Sequence, residues 1–191
     1  RSGAPEGTVV LAESQTAGRG RLGQPWFSPP GVNLYASVLF RGPLALKDAP
    51  LFSFIGGLAL ADAVKEAGAS PAIKWPNDVL LNGHKVAGIL TESVWSGDEA
   101  DCLVIGIGVN VLKGAVPSPE LLQFPATSLE DALGPAIQRT EVLHDILDGA
   151  LARAGAQTVW MGAESGSQKV LDAMDKGTRL EQIHEAARRL K

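Results

Sequence analysis

Two lysines and an aspartate lie within a short span that contains both a sharp turn and a hairpin signal. Lys74 ends an apolar run, Pro76 then forces a turn, and Asp78 follows, in the stretch KWPND. Residues 82–83 are Asn-Gly, a strong hairpin signal, so Lys85 should return beside the turn. Two cations and a carboxylate gathered in this way can neutralise a phosphate and hold Mg²⁺, as an adenylating site requires. An ordinary surface ion pair between Lys74 and Asp78 is the competing interpretation.

A second candidate is the glycine–arginine stretch GRGRLG, residues 18–23. Its glycines allow a tight loop whose backbone N–H groups can lie against an anion. Arg19 and Arg21 add forked donors that suit phosphate or carboxylate. In an extended segment both arginines would point the same way, because they are two positions apart. The stretch does not fit the phosphate-loop pattern GxxxxGK(S/T), so a solvated, flexible basic loop is the alternative.

Hydrophobic periodicity predicts the elements that must position these residues. Short apolar or alternating runs predict strands at residues 8–13, 33–40, 72–75, 79–81, 84–91 and 101–111. A helical period predicts helices at residues 51–67, 128–133 and 140–154, the first of them capped by Gly68. The order predicts an α+β fold, with a mixed, mostly antiparallel sheet and helices on one side. Gly106 and Gly108 interrupt the last strand and predict a close approach of something to the sheet.

Composition narrows the class of protein. The chain has 191 residues, 45% hydrophobic and 20% charged, as expected for a globular domain. A net charge of −4 argues against a general nucleic-acid binder. The single Cys102 excludes an internal disulfide and a cysteine metal cage, and we expect a buried thiol in a reducing compartment. Neither an apolar run of membrane-spanning length nor a signal peptide is present, so we predict a cytoplasmic protein.

Three stretches in a fixed order carry a family resemblance: SQTAGRGRLGQPWFSPPGVNLYASVLF, IKWPNDVLLNGHKVAGILTE and IGIGVNV. Over residues 8–150 they resemble the catalytic domain of biotin–protein ligases. The resemblance implies an α+β fold and a two-step reaction. Biotin and MgATP give biotinyl-5′-AMP, which a lysine of the biotin carboxyl carrier domain of acetyl-CoA carboxylase then attacks. ATP, biotin and Mg²⁺ are thus the implied ligands, the carrier is the implied partner, and a homodimer is a possible assembly.

The resemblance also implies roles for residues that match its motifs. Lys74 would bind the biotin carboxylate and the α-phosphate, with Lys85 and Asp78 as partners in charge stabilisation and Asp78 as a Mg²⁺ ligand. Gln15 would meet biotin. The loop Gly18, Arg19, Gly20 and Arg21 would close over biotin and the adenylate phosphate and exclude water.

Four further positions are implied to line the ligand. Trp26 would pack on the adenine side, although an ordinary core tryptophan is an equal interpretation. Asn77, in the turn, would help bind the nucleotide, while Gly88 and Asn110 would let backbone and amide approach the ligand. Two alternative functions stay open. One is a lipoate or octanoate ligase, which KWPND and GRGRLG resemble less closely, and the other is an inactive, truncated module that binds adenylate or carrier. A repressor role has no support, because no helix-turn-helix precedes the core.

The sequence departs from the family pattern at three places. Gln24 stands where an arginine is usual, which should weaken retention of the adenylate. The biotin-binding Ser/Thr-Thr-Asn segment is not found in residues 1–7, and the chain starts at Arg1, so we expect a missing front element. We therefore predict a catalytic domain at residues 1–150 that lacks this element.

The third departure is a tail, residues 151–191, in place of the small SH3-like domain of the family. Its pattern predicts a strand at 158–162, a helix from Ser167 and a second helix that Thr178 and Glu181 open as a capping box. The run GAESGSQKVLDAMDKGT resembles part of a radical-SAM enzyme. That family's cluster needs three cysteines, and the chain has only Cys102. We therefore expect a fusion or join near residues 150–157 and a weakly docked tail.

Overall fold

A computed structural model describes residues 3–45, 49–96, 99–153 and 160–162. These residues form a seven-stranded sheet in the order β3-β4-β5-β6-β2-β1-β7. The strands are β1 (Thr8–Ala12), β2 (Asn33–Ala45), β3 (Pro71–Lys74), β4 (Asp78–Leu81), β5 (His84–Ser96), β6 (Glu99–Asn110) and β7 (Trp160–Gly162). All neighbouring pairs are antiparallel except β1 with β7, which is parallel. The predicted mixed, mostly antiparallel sheet is confirmed.

Three helices are present among the described residues: α1 (Ala49–Glu66), α2 (Leu129–Leu133) and α3 (Arg139–Arg153). α1 ends at Glu66, and Gly68 follows it with φ +91°, as the predicted cap requires. α2 begins at Ser128, whose hydroxyl oxygen accepts a hydrogen bond from the Asp131 N–H at 3.1 Å. α1 packs against α3 and against the strands of the sheet. Within the described part of the chain, no helix combines the length and apolarity that crossing a bilayer demands.

The two faces of the sheet differ in character. Successive residues of a strand point to opposite faces. On β5 and β6 the helix side carries three isoleucines in the hydrophobic core: Ile89, Ile105 and Ile107. Gly56 of α1 lies so close that a Cβ there would be 3.3 Å from Ile89 and from Ile105. The other face carries three glycines at the intervening positions: Gly88, Gly106 and Gly108.

The predicted hairpin at residues 82–83 is confirmed, since Asn82 has φ 50° and Gly83 has φ 79°. Two strands run further than predicted, because β2 and β5 both continue along β6 past register shifts at Arg41/Leu44 and Val94/Trp95. Cys102 is partly buried rather than fully buried.

Only part of the predicted tail can be compared with the structure. The predicted strand at residues 158–162 is seen as β7, which pairs with Thr8–Val10 of β1. The helices predicted from Ser167 and Thr178 lie outside the described residues.

Candidate active site

The predicted cluster of charges forms at the turn end of the β3–β4 hairpin. Lys85 Nζ lies 2.7 Å from Asp78 Oδ1, and Lys74 Nζ lies 3.3 Å from Asp78 Oδ2. One carboxylate therefore sits between two ammonium groups, which leaves the cluster with an excess of one positive charge. The Asp78 side chain is only 12% exposed, whereas those of Lys85 and Lys74 are 24% and 45% exposed. Because the carboxylate is shielded while Lys74 reaches solvent, the cluster presents its positive side outward.

Strand register explains why these residues meet. Lys74 is directly opposite Asp78 across β3 and β4, and Asp78 is directly opposite Gly88 across β4 and β5. Residues opposite one another in adjacent strands share a face. A register shift after Val79 brings Lys85 onto this face as well, next to the open position above Gly88, where a Cβ would lie 3.3 Å from Lys85 Nζ. The charges therefore stand on the glycine face, opposite the helices.

Each lysine also lies over an aromatic ring. Lys74 Nζ is 4.5 Å from the ring centroid of Phe124, and Lys85 Nζ is 5.2 Å from the ring of Trp26. These distances allow cation–π attraction, which holds a flexible ammonium group in one direction. The two rings therefore restrict where the positive charge can lie before any anion arrives.

The glycine face forms a seat for Trp26. A Cβ on Gly108 would lie 2.7 Å from Trp26 Cε2, and a Cβ on Gly88 would lie 3.1 Å from Trp26 Cζ3. The close approach predicted from the strand glycines is confirmed at Gly108, where the group that approaches is the indole, whereas a Cβ on Gly106 would meet Leu90 of the adjacent strand. Trp26 Nε1 is buried and has no hydrogen-bond partner among the described residues. Trp26 thus belongs to the glycine face rather than to the core beneath the helices.

The glycine–arginine stretch lies in the long loop of residues 14–32 between β1 and β2 and folds as a small hairpin of its own. The Gly20 N–H donates to the Gln24 carbonyl at 2.7 Å, and the Trp26 N–H donates to the Gly18 carbonyl at 2.9 Å. The stretch is therefore bound to the backbone of Trp26, whose indole sits on the sheet, so a shift of the stretch should move the ring.

Arg19 and Arg21 do not lie in one extended segment, so the backbone does not point both side chains the same way. Arg21 opens a 3₁₀ turn, Arg21–Gly23, in which Leu22 has φ 56°. The expectation of an extended segment is wrong beyond Gly20, because the left-handed residue at 22 reverses the chain. Arg19 Nη2 lies 3.1 Å from Glu92 Oε1, in a pair whose side chains are 67% and 53% exposed. Arg19 therefore spans from the loop to β5 along the glycine face.

Gly18 is held at a crowded point of the loop. A Cβ there would collide with Ser28 Oγ and would lie 2.7 Å from the Trp26 carbonyl oxygen. The Ser28 hydroxyl donates to Gln15 Oε1 at 2.9 Å. That bond fixes which end of the Gln15 amide faces Ser28, while the residue itself stays exposed. Position 18 therefore has no room for a side chain. A hydrogen bond within the loop orients the Gln15 amide.

The two asparagines predicted to line the ligand hold backbone together. Asn77 Nδ2 donates to the Ile89 carbonyl at 2.8 Å, which fastens the KWPND turn to β5. Asn110 is buried, and its Nδ2 donates to the Thr127 carbonyl at 3.1 Å. Contact of either amide with a ligand stays a prediction. In the structure these residues fix the turn and the segment after β6 beside the lysines.

The donors at Asp78 do not fit a metal ion held by the protein. Both carboxylate oxygens already face a lysine ammonium group, at 2.7 and 3.3 Å. Among the described residues there is no group of three or more His, Cys, Asp or Glu side chains placed to hold a metal. Magnesium prefers oxygen ligands in an octahedron, and two ammonium groups repel it. We derive no step through a metal at Asp78.

Comparison with known proteins assigns this geometry to a family. The sequence model of the Biotin/lipoate A/B protein ligase family matches residues 1–110. The chain belongs to this family. It is 41% identical over 145 residues to the bifunctional ligase/repressor BirA of Bacillus subtilis, covering 75% of the chain and 45% of that relative. It is 45% identical over 153 residues to the biotin–[acetyl-CoA-carboxylase] ligase of Paracoccus denitrificans, covering 78% of the chain and 62% of that relative.

Solved structures agree with the family assignment. A biotin protein ligase from Aquifex aeolicus, in complex with biotin and ATP, superposes with a TM-score of 0.63 at 35% identity, over 77% of the chain and 60% of that structure. The Leishmania major enzyme, in complex with biotinyl-5-AMP, gives 0.61 at 30% identity, over 90% and 70%. The chain spans about half to two thirds of the length of the Bacillus subtilis and Paracoccus denitrificans relatives. The α+β fold predicted from the sequence is thereby confirmed.

Sequence reasoning missed three contacts of the site. Phe124 lies under Lys74, Glu92 pairs with Arg19, and Gln123 Nε2 donates to Gln24 Oε1 at 3.2 Å. All three depend on residues far apart in the chain. The aromatic and polar character of 123–124 within a proline-bearing segment was the available signal. Phe124 thus adds a second aromatic group beside the lysines, and Gln123 contacts the residue directly after the glycine–arginine stretch.

Proposed function

We propose that this family member is the catalytic region of an ATP-dependent biotin–protein ligase. It forms biotinyl-5′-AMP and transfers biotin to one lysine of the biotin carboxyl carrier domain of acetyl-CoA carboxylase. The observation that carries the proposal is the cluster of Lys74, Asp78 and Lys85 beside Trp26 on a glycine-lined face. A relative that is 45% identical to the chain is named as a biotin–[acetyl-CoA-carboxylase] ligase, and one related structure was solved with biotin and ATP.

The first step needs positive charge where two anions meet. The biotin carboxylate oxygen attacks the α-phosphorus of ATP. The bond from the α-phosphorus to the oxygen that it shares with the β-phosphate breaks, and pyrophosphate leaves. Lys74 presents its ammonium group to the carboxylate and α-phosphate, because it is more exposed than Lys85 and lies farther from Asp78. A fixed ammonium group in a site that excludes water stabilises the developing negative charge more strongly than it does in water.

Asp78 keeps the lysines apart and in place. Without the carboxylate, the two ammonium groups on β3 and β5, on either side of β4, would repel one another and swing to solvent. The Asp78 carboxylate, 12% exposed, thus acts as a positioning group rather than as a base or a metal ligand. Magnesium enters the reaction with ATP, as part of the substrate.

The loop of residues 14–32 supplies the remaining contacts. Trp26 offers an aromatic surface for the adenine side, and Gly18 to Arg21 cover the adenylate phosphate with Arg19 and Arg21 as anion contacts. Gln15 faces biotin, and Gly88 leaves space beside Lys85. Asn77 and Asn110 support the nucleotide side by fixing the backbone that surrounds it. A closed loop keeps water from the mixed anhydride.

In the second step the carrier lysine attacks the carbonyl carbon of the anhydride. The carbon–oxygen bond to AMP breaks, AMP leaves, and the amine loses a proton. The protein therefore needs no covalent nucleophile of its own, because the carrier amine supplies it. The carrier domain is the proposed partner, and pairing of two copies stays a prediction.

The proposal is tested by the two half-reactions. The chain, biotin and α-³²P-ATP should give pyrophosphate and biotinyl-AMP, and added carrier domain should become biotinylated at one lysine. Octanoate and lipoate in place of biotin separate the sister activity. Tight biotin binding with no pyrophosphate release would favour the binding module instead.

A further inference from the structure

Arg139, the first residue of α3, joins three element ends. Its Nη1 lies 3.0 Å from Glu13 Oε2, and its Nη2 lies 3.1 Å from Glu13 Oε1. The same Nη1 donates to the Asn33 carbonyl at 3.1 Å. Glu13 directly follows β1 and Asn33 opens β2, so one guanidinium contacts both ends of the loop of residues 14–32.

This arrangement is stronger than a surface ion pair. The Arg139 side chain is only 16% exposed, and its two parallel bonds to one carboxylate give a fixed geometry. An exposed pair of long side chains contributes little, whereas here the guanidinium is shielded, although the Glu13 side chain is 37% exposed, and it makes a third bond to the Asn33 carbonyl. Lysine cannot reproduce the fork, because it carries a single ammonium nitrogen.

The return end of the loop has further anchors. Asn33 Nδ2 donates to the Ala115 carbonyl at 3.2 Å, and the Tyr35 hydroxyl donates to the Pro29 carbonyl at 3.0 Å. Burial raises the pKa of the Tyr35 hydroxyl, which keeps it a donor. The entry end is joined to the return end by two backbone hydrogen bonds, from the Gly31 N–H to the Glu13 carbonyl and from the Gln15 N–H to the Ser28 carbonyl, both at 3.4 Å. Because both bonds are long, Arg139 adds a shorter side-chain link between Glu13 and Asn33.

We infer that Arg139 is a positioning residue for this loop, and through it for the adenylate. By fixing Glu13 and Asn33 together, it sets where Trp26 rests on the glycine face and where Arg19 lies along it. The loop carries every candidate ligand contact that is not on β3 to β6 or in the turn between β3 and β4. Arg139 itself touches no candidate ligand contact. The catalytic consequence rests on the proposed function, whereas the effect on the loop does not.

Hydrogen–deuterium exchange of the unliganded chain tests the geometric part. Arg139→Ala should speed exchange of the amides of residues 14–32 by about tenfold or more, and Arg139→Lys should give an intermediate increase. Val142→Ala is the matched control, because it removes methyl groups from a buried side chain of the same helix and leaves the guanidinium in place. Equal exchange in the loop for Arg139→Ala and Val142→Ala would overturn the inference.

The catalytic part is measured as release of biotinyl-AMP per biotinylated carrier. Arg139→Ala should raise this ratio several-fold, and Glu13→Gln should raise it less. Val142→Ala should leave it unchanged. An unchanged ratio in Arg139→Ala with faster loop exchange would overturn the catalytic consequence. Absence of biotinyl-AMP in the unsubstituted chain would instead reject the proposed function and leave the exchange result standing.

Discussion

The two faces of one sheet use the same strands for opposite purposes. On β5 and β6, Ile89 and Ile105 meet Gly56 of α1, and on the other face Gly88 and Gly108 meet Trp26. The helix face is filled by side chains that come from the strands. The glycine face is filled by the Trp26 ring, which comes from the loop of residues 14–32. Stability should therefore depend mainly on the helix face and chemistry mainly on the glycine face.

The largest effect is expected on the helix face. Ile105→Ala removes a side chain that is 2% exposed and packs against Gly56 of α1. It should lower the free energy of unfolding by about 2–5 kcal/mol, measured by denaturant titration. Ile105→Val should cost about 0.5–1.5 kcal/mol, which makes a graded series. The rate of biotinyl-AMP formation per folded molecule should stay within about twofold of the parent rate. A slower rate without a loss of stability would contradict the division between the two faces.

A charge on the glycine face should behave in the opposite way. Lys74→Met keeps the apolar stem over Phe124 but removes the ammonium group. It should slow formation of biotinyl-AMP by about 10²-fold or more. The free energy of unfolding should change by less than about 0.5 kcal/mol, because the side chain is 45% exposed.

Lys65→Met is the matched control, because Lys65 is an exposed lysine in the last turn of α1. It should affect neither the rate nor the stability. An equal loss of rate in both variants would mean that general charge, and not the position beside Asp78, matters.

The glycine seat can be tested by filling it. Gly108→Ala places a Cβ 2.7 Å from the rigid Trp26 ring, so the indole must move. We expect a loss of about 1–3 kcal/mol in unfolding free energy and a higher KM for ATP. Gly88→Ala, with a 3.1 Å contact, should show a smaller version of both changes.

A double variant isolates the contact. In a Trp26→Ala background the ring is absent, so adding Gly108→Ala should cost much less than it does alone. Additive costs would show that Gly108 is required for some reason other than the indole.

The local parts of this arrangement follow from the sequence. The Asn82-Gly83 turn and the Gly68 cap each need a left-handed residue, and the structure has φ 50°, 79° and 91° there. Lys74 and Asp78 flank a proline turn, so their pairing is also local. These features depend on residues close in the chain, and short-range sterics are visible in sequence.

The non-local parts do not follow from it. Trp26 takes its place from glycines on two other strands, which is why the core and ligand interpretations of this residue could not be separated. The extra length of β2 and β5 depends on register shifts against β6. The Arg139 contact with Glu13 joins residues whose proximity only the finished sheet and α3 create. Long-range pairing leaves no periodic signal in the segment that takes part in it.

The smallest effect on stability is expected at the loop arginine. Arg19→Ala removes an ion pair with Glu92 whose two side chains are 67% and 53% exposed, so unfolding should change by about 0–1 kcal/mol. The same substitution should let biotinyl-AMP escape several-fold faster before carrier is added, because the loop loses its anion contact. Escape is measured by filtration of pre-formed intermediate over time.

Glu92→Ala separates two roles of Arg19. If the arginine acts only by linking the loop to β5, both substitutions remove that link and should give the same escape rate. If the arginine contacts the adenylate phosphate, Glu92→Ala frees it to do so, and escape should stay at the parent rate or fall. We expect the second pattern, because the guanidinium of an exposed pair on the glycine face is available to a stronger anion. Equal rates of biotinyl-AMP escape from the two variants would mean that Arg19 only links the loop to β5. Lys74 and Lys85 would then be the residues that bind the phosphate.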